Sequence, residues 1–263
     1  MEAPEGPQIY KLPRVRKIFI PDPGYLILDA DLSGADAQVV AWEADDDDLK
    51  KAFRSGVKIH EKNAIDMWGE RYSNLPGNRS DKGTPKGLLY DKLKRTVHAT
   101  NYLATPRALH LNPNIAWTLL EAEDFQRRWF SLHPGIREWH KRVQFALASS
   151  RTVRNAFGYR IIFFDRIDSI APEAVAWGPQ STVAETCFRG ALQLEAACPW
   201  AEILIQVHDS IVFQIPYSKS DQTRKIKDSL LNEIPYPDPL TIQWGLKSSS
   251  SSWGDCEDVV LTP

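Results

Sequence analysis

A chain of 263 residues with 43% hydrophobic content can bury a substantial core and fills one or two domains. Its 32 basic and 34 acidic side chains leave a net charge of −2, so any nucleic-acid or membrane surface must be local. Cys187, Cys198 and Cys256 show no CxxC pairing, which argues against a disulfide scaffold or a zinc site and for a reducing compartment. No run approaches the roughly 18 apolar residues of a membrane span, and the first residues lack an apolar signal core, so the expectation is a soluble, cytoplasmic protein.

Residues 1–16 are rich in proline and charge and read as a tether or a truncated linker. After the turn signal Pro21-Asp22-Pro23-Gly24, Tyr25–Asp31 reads as an apolar strand that ends in an acid. Residues 35–53 carry Val39, Val40, Leu49 and Phe53 at helical spacing, broken by the run Asp45–Asp48, which predicts two helices with an acidic turn. Residues 67–85 predict a loop, Lys86 to Thr105 a helix, and 116–150 further helices. Val153–Phe164 reads as a hairpin and Pro179–Ala197 as a helix. Residues 201–216 alternate like two antiparallel strands that turn at Val207-His208-Asp209-Ser210, and 219–234 predict a helix. The serine run Ser248–Ser252 is expected in a terminal loop.

Two acids stand at strand ends, Asp31 and Asp209. Magnesium takes hard oxygen ligands and keeps waters and substrate phosphates in its shell, so two aspartates on neighbouring strands suffice when a nucleotide supplies the rest. Taken alone, the pair fits ordinary turn chemistry as readily. Asp29 reads as a solvated strand position.

The neighbours of these acids form ordered motifs. Asp31-Leu-Ser-Gly-Ala-Asp36-Ala-Gln38, followed by Gly56-Val-Lys-Ile59-His60, resembles motif A of the family A DNA polymerases, the bacterial polymerase I and phage replicative group, where the pattern is Asp-Tyr-Ser-Gln-Ile-Glu-Leu-Arg and then Gly-x-x-Ile-His. Lys94-Arg-Thr-Val-His98-Ala-Thr-Asn-Tyr102 resembles motif B, and Gln206-Val207-His208-Asp209 resembles motif C. Between them, Arg151-Thr152 with Gly158-Tyr159-Arg160 is similar to the Thr-x-x-Gly-Arg hairpin, and Pro179-Gln180-Ser-Thr-Val-Ala184 to the Gln-x-x-x-Ala helix. Leu12-Pro13-Arg14 is similar to the linker into the palm, and Trp253-Gly254 also fits.

The resemblance implies an α/β (α+β) palm built on an antiparallel sheet, with an inserted helical fingers subdomain. It divides the chain into a tether at 1–16, a first palm segment at 17–60, fingers at 61–150, and a second palm segment at 151–263 that carries the motif C hairpin. It implies template-directed transfer of a dNTP to a primer 3′-OH with two Mg²⁺ ions, or Mn²⁺ in their place. Asp31, Asp209 and the Leu32 carbonyl would hold the metals, and Lys94 would meet the triphosphate. Asp36 matches the glutamate that screens the sugar 2′ position and is one methylene shorter. His98 stands where an aromatic ring meets the sugar, Tyr102 near the templating base, and His60 at the base of the fingers. Gln180 and His208 would touch the primer-template duplex, and Arg151, Arg154 and Arg160 its backbone. For His60, Gln180 and His208, structural hydrogen bonding is an equal alternative. From Gln126 to Arg160 there are eight basic residues and one acid, Glu138, a +7 segment interleaved with aromatics that suits a phosphate backbone or forms a solvated basic face.

Four positions depart from the family pattern: Tyr90 stands where motif B has arginine, Leu103 where glycine follows the tyrosine, Ser210 where motif C has an acid, and Gln38 where motif A has arginine. The thumb and exonuclease segments of the family are not represented, which implies a second polypeptide that supplies them, or a truncated enzyme. A rival reading is a non-catalytic DNA-binding or scaffold subunit of a replication complex, favoured by Tyr90 and Leu103 and opposed by intact Asp31, Asp209 and Lys94. A nuclease reading explains neither the Lys94, His98, Tyr102 row nor Gln180. The motif B wording is phage-like, which would put the chain in a host cytoplasm.

Overall fold

The computed structural model describes residues 15–259, and the proline-rich start, with its linker-like Leu12-Pro13-Arg14, lies outside them. In chain order the elements are β1 (Tyr25–Leu32), α1 (Ala35–Glu43), α2 (Asp47–Arg54), α3 (Ile59–Trp68), α4 (Glu70–Ser73), α5 (Pro85–Asn101), α6 (Pro106–Leu111), α7 (Leu119–Leu132), α8 (Pro134–Ser150), β2 (Thr152–Arg154), β3 (Arg160–Ile162) and α9 (Ile167–Ala197). They continue with β4 (Glu202–Val207), β5 (Ser210–Pro216), α10 (Thr223–Leu230), β6 (Glu233–Ile234), β7 (Leu240–Thr241), β8 (Trp244–Ser249) and β9 (Glu257–Asp258). The fold is mixed α and β with antiparallel pairing, as expected.

Contacts divide the chain into two units: residues 1–33, 186–232 and 241–263, and residues 34–185 with 233–240. These do not coincide with the segments 17–60, 61–150 and 151–263 drawn from the motifs. α9 is shared, its residues through Glu185 in the second unit and those from Thr186 in the first.

The first unit is built on a five-stranded sheet in the order β4-β5-β1-β8-β9. The Gly24 turn (φ +89) launches β1, with the Tyr25 N–H donating to Asp22 O at 3.0 Å. β1 and β5 pair from Tyr25–Pro216 to Asp31–Ser210, and both are central strands. Ile27, Leu28, Ala30, Ile211, Val212 and Phe213 are therefore fully buried, and the strands read as continuous apolar runs instead of alternating ones. Trp253 packs with Ile27 and Val212 on the sheet.

The second unit is a helical assembly with explicit start signals. Thr84 caps α5 through Gly87 N–H with Pro85 at its first position, and Thr118 and Glu121 form a reciprocal capping box on α7. Asp46 caps α2 and accepts from the Nδ1 of buried His133 at 3.0 Å. Trp68, Trp117, Phe125 and Trp129 form a chain of ring contacts between α3 and α7.

The elements differ from the sequence reading at several places, among them the helix expected over 219–234, which is α10 at Thr223–Leu230 followed by strand β6 at Glu233–Ile234. α9 begins at Ile167, twelve residues before the expected start at Pro179, and carries Pro172 and Pro179 inside it. The expected loop at 67–85 contains the single turn α4. α5 stops at Asn101 because Leu103 turns left-handed at φ +61. Ser248 and Ser249 are not loop but the end of β8, with Ser248 opposite Leu28.

Candidate active site

In the first unit the two acids of the metal hypothesis meet at one edge of the β1/β5 ladder. Asp31 lies opposite Ser210 on one side and Gly245 on the other. The Leu32 N–H donates to the Asp209 carbonyl at 2.9 Å, which ties the end of β1 to the β4–β5 turn. That turn holds two residues, and His208 takes the positive φ of +54 that tight hairpins demand. The His208 carbonyl accepts from the Gln206 amide at 2.5 Å and lies 4.0 Å from the Cys187 thiol. The hairpin tip is thus gripped through its backbone, and the His208 side chain is exposed.

The tip of Asp31 reaches solvent, yet the protein around it, then the charges of Asp209 and Asp29, push its carboxyl up to about 6. Burial, with Asp209 and Asp31 adding to it, pushes the Cys187 thiol up to about 12, so it is a neutral neighbour. Asp29, which alternation puts on the same face of β1 as Asp31, is not the solvated position expected from the sequence. It is buried, and its Oδ2 accepts from Trp253 Nε1 at 2.7 Å. Trp253 lies 224 residues away in the chain, and no local signal announces such a partner.

In the second unit, Lys94, His98 and Tyr102 follow one another at every fourth position along α5 and its C-cap, so they share a face. Lys94 is exposed and no carboxylate pairs with it among the described residues. Asp36, in the first turn of α1, accepts from both of the others: from the Tyr102 hydroxyl, and from His98 Nδ1 at 3.1 Å. The His98 and Tyr102 rings meet edge to face at 4.9 Å. The Asp36 hydrogen bond raises the His98 pKa against the pull of burial, and burial followed by the Asp36 charge raises that of Tyr102. His60, at the start of α3, is pushed down to about 4 by burial and then by the Lys94 and His98 charges. Asp36, His60, Lys94, His98 and Tyr102 therefore form one electrostatic group within this unit.

The candidate DNA contacts of the second unit are more dispersed. Arg154 and Arg160 stand directly opposite on β2 and β3, a like-charge pair that an anion would relieve. Arg151 caps α8 with φ +56 and donates to Asp165 O at 2.5 Å. Gln180 is exposed on α9. Within the +7 segment the aromatics split. Trp129 and Trp139 are buried core, while Phe145 and Tyr159 face solvent, so only the latter are free to meet bases.

Two features escaped the sequence reading. Asn101, inside the motif B segment, accepts from Trp129 Nε1 at 2.9 Å through its side chain, and its carbonyl lies 2.8 Å from His140 Nε2, joining α5 to α7 and α8. Asp46, Asp48 and His133 bring ligand-type atoms within 4.8 Å of one another. Asp46 caps α2, whose N-terminal dipole opposes a cation there, and Asp48 pairs with Lys62 at 2.5 Å, so this group serves the fold.

The model of DNA polymerase family A matches residues 7–254. The chain belongs to DNA polymerase family A. Among curated relatives, the thermostable DNA polymerase I of Thermus filiformis is 29% identical over 89% of this chain and 28% of its own length. DNA polymerase I of Rhizobium leguminosarum is 25% identical over 85% of this chain and 22% of its own length. The chain thus spans less than a third of those family A proteins. In fold it is similar to the solved POL domain of Pol1 from M. smegmatis in complex with DNA primer-template and dNTP, at TM-score 0.75 and 20% identity, covering 92% of this chain and 42% of that one. No helix among the described residues is long and apolar enough to cross a membrane.

Proposed function

We propose that this chain is a template-directed DNA polymerase that adds a dNTP to a primer 3′-OH. The observation that carries this reading is the pair Asp31 and Asp209, tied together through the Leu32 N–H, in a chain of family A. Their donor set fits hard divalent cations. Asp31 and Asp209 stand at the same end of the β1/β5 ladder, and Asp31 is raised by burial first and then by the charges of Asp209 and Asp29, the last two a repulsion that a cation relieves. Asp31, Asp209 and the Leu32 carbonyl are the residues that would hold two Mg²⁺ or Mn²⁺ ions. When bound, the ions supply activation of the primer hydroxyl and charge balance for the leaving pyrophosphate.

The remaining residues bind and orient. Lys94, exposed and without a carboxylate partner among the described residues, attracts the triphosphate as a point charge. Asp36, fixed by Tyr102 and His98, faces the sugar, and His98 keeps its ring orientation through its Nδ1 contact, leaving Nε2 for the nucleotide. Tyr102 stands near the templating base, and His60 supports the group from the base of the fingers. Arg151, Arg154 and Arg160 neutralise backbone phosphates of primer-template DNA, while Gln180 and His208 contact the duplex.

The test is single-nucleotide extension of a primer-template by the wild-type chain with Mg²⁺, each template base offered all four dNTPs separately. Incorporation dictated by the template base is expected. Addition indifferent to the template would overturn the reading, and DNA binding without any addition would favour a scaffold role.

A further inference from the structure

Tyr90 stands one helical turn before Lys94 on α5, where a second cation beside the triphosphate is absent from the helix itself. The surroundings of Tyr90 contain such a cation. Its ring meets His60 edge-on at 6.2 Å. Glu61, the next residue of α3, is paired with Arg79, which comes from the loop between α4 and α5. Burial raises the Tyr90 phenol, the Arg79 charge counters that rise, and the Glu61 charge adds to it, so all three groups share one neighbourhood. Buried Tyr72 registers the same neighbours.

The loop that carries Arg79 is pinned to α5. Thr84 Oγ1 lies 3.0 Å from Asn78 O and 2.8 Å from Asp81 O, which share its one proton, while it caps the helix by accepting from Gly87 N–H. At Gly87 the loop comes so close that a Cβ would lie 1.9 Å from Asp81 O and 2.9 Å from Asn78 O. Arg79 is therefore presented by a braced segment, and its side chain is 35% exposed, open enough to take an external anion. A guanidinium offers five N–H donors in a fork that matches phosphate oxygens, and one carboxylate does not exhaust them.

We propose that Arg79 is the second triphosphate-binding cation of this chain, standing in from the α4–α5 loop for the one that Tyr90 replaces on α5, and that Glu61 neutralises it until a nucleotide arrives. This rests on the reading of Lys94 as a triphosphate ligand. A nucleoside triphosphate carries several negative charges, and a lone lysine leaves most of them to the metal ions and water. With Arg79 engaged, a forked donor and a point charge share the load. The Arg79–Glu61 pair then competes with the substrate, so the two members of the pair have opposite effects on affinity.

The experiment is equilibrium binding of dATP with Mg²⁺ to the full chain, without primer-template, for wild type and the variants Arg79→Ala, Arg79→Lys, Glu61→Gln and Lys82→Ala, each checked by circular dichroism. Arg79→Ala is expected to weaken binding about tenfold, as loss of a charge-assisted phosphate contact does. Arg79→Lys should recover part of that loss, and Glu61→Gln should tighten binding roughly threefold by removing the competitor. Lys82→Ala, which removes a loop lysine paired with Asp91, should match wild type. Equal affinity of wild type and Arg79→Ala would overturn the proposal. So would weakening by Glu61→Gln to the extent seen for Arg79→Ala, because a structural brace loses equally from either side. No turnover is involved, so a chain that binds dATP through Arg79 and fails to extend primers would overturn the polymerase reading alone.

Discussion

Both carboxylate oxygens of Asp36 are engaged, one by the Tyr102 hydroxyl and one by His98 Nδ1, which holds the side chain against that face of α5. What it lacks is reach. A glutamate extends one methylene, about 1.5 Å, further toward a sugar 2′ position. Pocket changes of one methylene are worth roughly 10–200-fold in discrimination. Asp36→Glu should therefore raise the preference for dCTP over CTP opposite template G by about tenfold, measured as the ratio of kcat/KM values under one metal condition. An unchanged or lower ratio would remove Asp36 from sugar selection. His60 supports a different prediction. Its pKa of about 4 lies below the ordinary value of 6.5, with Lys94, His98, Asp36 and the Tyr90 ring as its neighbours. The unfolded chain takes up the proton first, so the stability His60 contributes is fully present above pH 6.5 and is lost as pH falls toward 4. Between pH 7 and pH 5 the loss is about 2 kcal/mol. Urea unfolding of His60→Gln should show a pH 7 to pH 5 difference smaller by that amount, and identical differences in the two proteins would contradict it. Single residues were legible as types but not always as roles. Leu103 stands where the family pattern has glycine, and its φ of +61 shows that glycine suits the position for backbone reasons, at a cost to leucine of about 1–2 kcal/mol.

At the scale of elements, periodicity and punctuation served well where they were local. The strand into Asp31, the paired helices after it and the hairpin at His208 are where the sequence puts them, because turn formers and apolar spacing act within a few residues. Proline misled at α9. Read as a start signal at Pro179, it lies inside a helix that begins at Ile167, since surrounding packing overrides the local cost. Serines misled at β8, where Ser248 and Ser249 complete a strand paired with β1. That pairing depends on a partner more than 200 residues away in the chain. The loop before α5 is the element whose position depends most on one glycine. Gly87→Ala sets a Cβ 1.9 Å from Asp81 O, so either the loop or the first turn of α5 must move. Overpacking of this kind costs about 1–3 kcal/mol. Thermal melting should fall by several degrees in Gly87→Ala and by much less in Gly178→Ala, where nothing lies within 4 Å of the added carbon. Equal melting of the two variants would refute the close approach.

At the scale of the whole chain, the motif order read from the sequence and the family match agree over most of the residues. Ordered motifs carry that information because each demands a particular side chain at a particular element end. The partition into units did not follow from them. A unit is defined by which segments bury each other, and the first unit assembles three separated stretches around one sheet. The Asp31 and Asp209 carboxylates come from two of those stretches, joined through the Leu32 N–H. The central claim therefore stands on those two side chains, and primer extension with Mg²⁺ by wild type, Asp31→Asn and Asp209→Asn tests it most directly. Wild type should add the templated nucleotide. Each variant should keep the wild-type circular dichroism and lose activity on the order of a hundredfold or more, since the substitution neutralises a carboxylate proposed to hold the metal. Extension at near wild-type rate by either variant would contradict the account.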